Sequence, residues 1–382
     1  MDSIKILVLF TFNTSLQEWK ELGFINRELH MYQKLKKHDF QVGFVTYGNN
    51  DTEQKIAREH KIDLVYSFAR RRKFLLFISY IMSFFAWPIV IGPRIKQYHV
   101  IKTNQVWGGW LAVILGLLWR KKVIVRAGYE KLQLQKRLGK RFFSLAFIWF
   151  LSWISYRFCD LVFISSDEMK DFISRTYKIP KSKIVVLNNG IDVKEFRPLN
   201  FGSKRNVLYV GRLSEEKNID LLIRAMEGLG VALDIIGDGP QKCYLAQLAS
   251  DLDVTVNFLG SIENSRLTGW YNSRRVFVLL SEREGCPKGL LEAMACGMTV
   301  VGADVDGINN IIVHGNNGLL CSRCVHDVRS KLVAALSRGS SSLGVNATST
   351  VRAKYSMERI ASLEAREIRI LLKDEKESGK RE

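Results

Sequence analysis

Two hydrophobic periods alternate along the chain. Short runs dense in β-branched and aromatic residues fall at 4–10, 41–47, 62–66, 98–103, 122–126, 161–165 and 184–187, and again at 206–210, 232–236, 255–259, 276–280 and 299–302. Longer stretches with helical spacing separate them. Strands alternating with helices predict an α/β chain with parallel sheets. Residues 195–205, with Pro198 and Gly202, have the composition of a linker between the two sets. The expected organisation is a first domain over 1–198, a second over 199–350, and a final helical segment, 351–382, returning to the first. Two doubly wound domains facing across a cleft would bind a ligand there.

Three apolar stretches in the first half break the alternation: 74–91 after Arg70-Arg71-Arg72-Lys73, 107–119, and 142–156 after Lys140-Arg141. Three readings stay open for 74–91: a core helix, a helix in a membrane interface, or a membrane span. Pro88 and the sheet strands on either side oppose the span, and the interfacial reading is favoured because basic clusters adjoin the aromatic runs.

Charge strengthens that preference. The chain of 382 residues carries a net +19, and residues 1–199 hold 33 Lys and Arg against 16 Asp and Glu. Nearly all the excess therefore lies beside the apolar stretches, as an anionic surface would require. Nucleic acid is disfavoured because the cations are interleaved with apolar runs rather than arranged as a binding module. The first residues read as a strand, not a secretory leader, so a cytoplasmic protein peripheral to the membrane is expected. The six cysteines suit reduced thiols. Cys321 and Cys324, with His326, form half a zinc pattern and lack a second pair.

The strongest motif runs from Ser281 to Gly297. A strand should end at Leu280, Glu284 and Gly285 should turn the chain, and Pro287 should occupy the first helical position. Such a strand–turn–helix aims backbone N–H groups and a positive dipole end at one point, which suits phosphate. Glu284 on the turn and Glu292 inside the helix are suited to sugar hydroxyls. A second motif, Val210-Gly211-Arg212-Leu213-Ser214-Glu215-Glu216-Lys217-Asn218, follows another strand. Arg212 and Lys217 there have the charge to neutralise a diphosphate.

Together these motifs resemble glycosyltransferase family four, a retaining family with the two-Rossmann-domain GT-B fold. Asn188–Asp192, Ile236–Pro240, Phe258–Gly260 and His314–Leu320 stand in the family's order. The resemblance implies a nucleotide-sugar donor, a glycan or lipid-linked acceptor, and no cofactor or metal. It assigns catalysis to Glu284, Arg212 and Lys217. Donor binding falls to Gly23, Gly211, Gly285, Cys286, Pro287, Leu290, Leu291 and Glu292, with Glu292 on the ribose and the amides through Leu290 and Leu291 on phosphate. The family's frequent His-Gly pair is absent; Arg126, Gly128 and Tyr129 stand in its place and are the acceptor-side candidates. A glutamate common after Gly307-Ile308 is replaced by Asn309 or Asn310. Rival readings are a sugar phosphorylase or epimerase of the same fold, or a non-catalytic partner subunit.

Overall fold

A computed structural model describes residues 3–23, 25–68, 90–128, 132, 142–199, 204–337 and 341–378. The chain divides into two compact units, Met1–Leu187 with Ala361–Glu382, and Asn188–Ile360. The division lies before the expected linker, and the second unit runs past residue 350. Hydrogen bonding explains both shifts. Ile191 donates to the Tyr355 carbonyl and accepts from Met357 N–H, each at 2.8 Å, so these segments join one unit.

In the first unit β1 (Ile4–Leu9), β2 (Phe40–Tyr47), β3 (Asp63–Phe68), β4 (Val100–Thr103), β5 (Lys122–Ala127), β6 (Leu161–Ile164) and β7 (Ile184–Val186) form one parallel sheet. Their order is β3-β2-β1-β4-β5-β6-β7, so the winding reverses between β1 and β4. The helices are α1 (Leu16–Glu21), α2 (Ile25–Lys36), α3 (Asn50–Glu59), α4 (Gly109–Trp119), α5 (Phe142–Phe158) and α6 (Asp167–Tyr177), besides a helical segment at 90–95. Ile6, Leu7, Val8 and Leu9 are all buried, as befits a parallel strand covered on both faces.

The apolar stretches divide in kind. The run 74–91 lies outside the described residues except at 90–91, where Ile91 is buried. Helix α4 is mainly core, burying Trp110, Leu111, Ala112, Val113 and Leu115, but Leu117 and Leu118 are exposed. Helix α5 buries Ile148, Leu151 and Tyr156 while exposing Phe147, Trp149, Phe150 and Phe158. Trp149 and Phe150 both stack on Trp153. Among the described residues no helix is long and apolar enough to cross a membrane.

In the second unit β8 (Lys204–Val210), β9 (Leu233–Ile236), β10 (Val256–Phe258), β11 (Arg274–Leu279), β12 (Thr299–Ala303) and β13 (Leu319–Cys321) pair in parallel in the order β10-β9-β8-β11-β12-β13. The edge strand β13 has three residues and was not expected from its sequence. Helices α7 (Ile219–Met226), α8 (Lys242–Asp251), α9 (Leu267–Asn272), α10 (Lys288–Ala295), α11 (Val325–Leu336) and α12 (Ser341–Lys354) follow. Helix α13 (Met357–Ser378) ends the described chain, and from Ala361 onward it belongs to the first unit. There Glu364, fully buried, pairs with buried Lys102 of β4, while Arg126 of β5 lies 3.8 Å from its other oxygen. Burial holds the Lys102 amine below its ordinary pKa, against the opposing pull of Glu364.

Candidate donor site

The reversal of winding in the second sheet falls between β8 and β11, the position in an open α/β sheet where loops diverge and leave room for a ligand. Both motif loops start there: Gly211–Asn218 after β8, and Ser281–Pro287 after β11. They are bonded to each other. Asn218 Nδ2 donates to the Leu280 carbonyl at 2.9 Å, and Glu282 N–H donates to the Glu216 carbonyl at 2.8 Å. Asn218 has φ +50°, a left-handed conformation that asparagine tolerates better than most residues.

At the centre, Lys217 Nζ lies 2.6 Å from Glu284 Oε1, which also accepts from Ser281 Oγ at 2.7 Å. The two charges thus neutralise each other across the loops, and both side chains remain partly exposed. The Glu284 backbone is braced from the loop after β12: its N–H donates to the Asp306 carbonyl at 3.4 Å. Gly307, with φ +83°, lies so close that a Cβ would collide with the Glu284 carbonyl. Arg212 is exposed, with no side-chain hydrogen bond or ion pair among the described residues. Its carbonyl accepts from the Tyr209 hydroxyl at 3.0 Å. Burial, then the charges of Glu284 and Glu216, push that phenol well above its ordinary pKa, so it stays a neutral donor.

Two details of the α10 entry correct the sequence expectation. Pro287 is the N-cap residue rather than the first helical one, with φ −70° and ψ 112°. Leu291 N–H bonds to the Pro287 carbonyl at 3.2 Å, so its amide belongs to the helix and is not offered to a ligand. The first turn holds Lys288, Gly289 and Leu290. It has no acidic residue, and Pro287 supplies no side-chain acceptor. A helix opening without such a group favours an external anion.

Glu292 is buried. Its oxygens accept from the Tyr271 hydroxyl at 2.9 Å and Asn264 Nδ2 at 3.1 Å. It is therefore held rigidly, by two residues that sequence reasoning missed. Tyr209 was missed in the same way, and Ser281 stood in the motif without an assigned role.

The remaining candidates belong to the first unit. Gly23, with φ +74°, closes α1 by donating to the Lys20 carbonyl at 3.0 Å. Arg126 faces Glu364, and its N–H donates to Thr103 Oγ1 at 3.2 Å. Gly128 N–H donates to Gln105 Oε1 at 3.1 Å. Tyr129 lies outside the described residues. Cys321 Sγ donates to the Gly302 carbonyl, and no group of three or more His, Cys, Asp or Glu suited to a metal occurs among the described residues.

Two parallel, doubly wound sheets, the second with charged loops at its switch point, are the architecture of the GT-B class. The solved structure of HepE from Anabaena in complex with UDP superposes with a TM-score of 0.76 at 16% identity, over 96% of this chain and 99% of that one. The family described as Glycosyltransferase Family 4 matches residues 29–195, and that described as glycosyl transferases group 1 matches 191–343. The chain belongs to glycosyltransferase family four. It is 34% identical over 185 residues to an uncharacterized glycosyltransferase of Methanocaldococcus jannaschii, covering 43% of this chain and 47% of that protein. It is 30% identical over 184 residues to the sulfoquinovosyl transferase of Arabidopsis thaliana, covering 45% and 36%. The chain thus spans less than half the length of these two relatives.

Proposed function

We propose that this protein is a retaining hexosyltransferase that moves a sugar from a nucleoside-diphosphate sugar to an acceptor hydroxyl without a metal. The Lys217–Glu284 pair at 2.6 Å carries the reading. Each member has a counterpart in such a donor. The diphosphate takes the ammonium from Glu284, and a sugar hydroxyl then donates to the carboxylate. Arg212 and the opening of α10 add positive charge, so the leaving group is met by the protein's own cations. As the bond from the anomeric carbon to the diphosphate oxygen breaks, its electron pair stays on that oxygen. The acceptor hydroxyl attacks from the same face and its proton passes to the departing phosphate. One such electrostatic donor is worth about 3 kcal/mol in comparable sites.

Glu292, locked by Tyr271 and Asn264, fits the ribose end. Donor roles for Gly211, Gly285, Cys286 and Leu290 follow the same reading, and Arg126, Gly128 and Tyr129 are proposed on the acceptor side. The acceptor is a glycan or lipid-linked precursor at the cytoplasmic face of an anionic membrane. The exposed aromatic residues of α5 and the basic first half support that placement.

Thermal unfolding with UDP-, GDP- and ADP-sugars tests the reading. A bound donor at a hundredfold excess over its Kd adds about 2.7 kcal/mol of stability, and transfer from the same donor follows. If no nucleotide-sugar stabilises the protein or is turned over, the proposal is wrong.

A further inference from the structure

We infer that Asn189 is the positioning residue of the diphosphate-binding turn. This rests on the donor-site reading above and adds a group outside both motif loops. Cys286 immediately precedes the N-cap Pro287, so its carbonyl lies beyond the hydrogen bonds of α10. The residue is buried, and a buried carbonyl without a partner is costly. Asn189 Nδ2 donates to it at 2.7 Å, across 97 positions of sequence.

The peptide plane fixed by this bond is the Cys286–Pro287 plane. Rotating it would swing Pro287 and with it the first-turn amides of Lys288, Gly289 and Leu290. Pro287 already has a fixed φ and restricts Cys286 to extended conformations. The Cys286 carbonyl direction is therefore a principal freedom left at the entry to α10, and Asn189 holds it.

Asn189 is itself anchored. The next but one residue, Ile191, is bonded to Tyr355 and Met357. The Tyr355 phenol, raised to about 12 chiefly by burial and further by Cys286, lies near the same turn. Asn189, Ile191, Tyr355 and Met357 all belong to the second unit, so the donor turn is referenced to this pairing and not only to its own sheet.

Asn189→Asp is nearly isosteric and, when ionised, cannot donate to Cys286. Calorimetric titration of the full chain with UDP and GDP should show affinity roughly tenfold weaker, the upper range for one hydrogen bond. Asn189→Gln, which keeps the amide, should recover part of the loss. In turnover with a confirmed donor, the donor KM should rise while the acceptor KM holds, and a general packing defect would move both. Should Asn189→Asp fail to fold, Asn189→Ala carries the same expectation. Wild-type affinity in a folded variant, or equal loss in Asn189→Gln and Asn189→Asp, overturns the inference. If the wild type binds neither UDP nor GDP and uses no donor, the donor-site reading itself has failed.

Discussion

In the first unit, the helix after β1 begins beneath a carboxylate of the protein's own. The buried Glu53 side chain accepts from Leu16 N–H at 2.9 Å and Gln17 N–H at 3.0 Å, and Ser15 Oγ caps Glu18. In the second unit, the helix after β11 begins at Pro287, which has no side-chain acceptor. The two sheets share a strand order around the switch point, in which β11 matches β4 rather than β1, and α4 after β4 likewise opens without a side-chain acceptor or an acidic residue. What differs is where each unit satisfies its charges. The first keeps Glu53, Lys102 and Glu364 buried and partnered. The second also buries and partners Asp234 and Glu292, and in addition places Lys217 and Glu284 together on loops, partly exposed.

Breaking the buried pair should have the largest effect. Glu364→Ala strips Lys102 of its carboxylate partner in the core, at a cost of about 3–5 kcal/mol. Urea denaturation should show that loss, and the joint Lys102→Met and Glu364→Leu variant should recover most of it. A small change in the single variant would mean that the first unit does not depend on its buried charges.

Next is the exposed pair. Glu284→Gln should cut transfer about a hundredfold, or ~2.7 kcal/mol, and leave nucleoside-diphosphate affinity equal or improved because Lys217 has lost its internal competitor. Lys217→Ala should lower turnover about tenfold, ~1.4 kcal/mol, with affinity falling as well. The reverse pattern of binding would exchange the two roles.

The contrast between helix openings can be erased directly. Pro287→Asp gives α10 a carboxylate of its own, as Glu53 gives α1. Stability without ligand should rise by about 0.5–1 kcal/mol, while nucleoside-diphosphate affinity falls several-fold. Unchanged affinity would show that phosphate does not bind at this helix.

Much of this was readable from the sequence because it is local. Hydrophobic period placed every strand except β13, whose three residues are too few to show one. Turn chemistry around Gly285 and Pro287 located the turn between β11 and α10, although the sequence placed Pro287 one position too far into the helix. The bonds that brace the site were not readable, because they join residues distant along the chain. Asn189 to Cys286, Lys217 to Glu284 and Tyr271 to Glu292 span 97, 67 and 21 positions. Only one partner in each pair lay within the strongest motif. The buried Lys102–Glu364 pair was invisible for the same reason, being 262 positions apart.

The smallest expected effect concerns the aromatic face of α5. Phe147→Ser and Phe150→Ser together should weaken co-sedimentation with anionic vesicles several-fold, and salt should weaken it further because surface charge is screened. Transfer to a soluble acceptor should not change. If the wild type ignores anionic vesicles, the basic first half serves something other than a membrane.

The most direct test of the central claim is a crystal structure with UDP or the nucleoside diphosphate found to bind best. The diphosphate should lie at the opening of α10, with Lys217 Nζ about 2.7–2.9 Å from a phosphate oxygen and parted from Glu284. A nucleotide bound elsewhere, or bound there with the Lys217–Glu284 pair intact, would contradict the account.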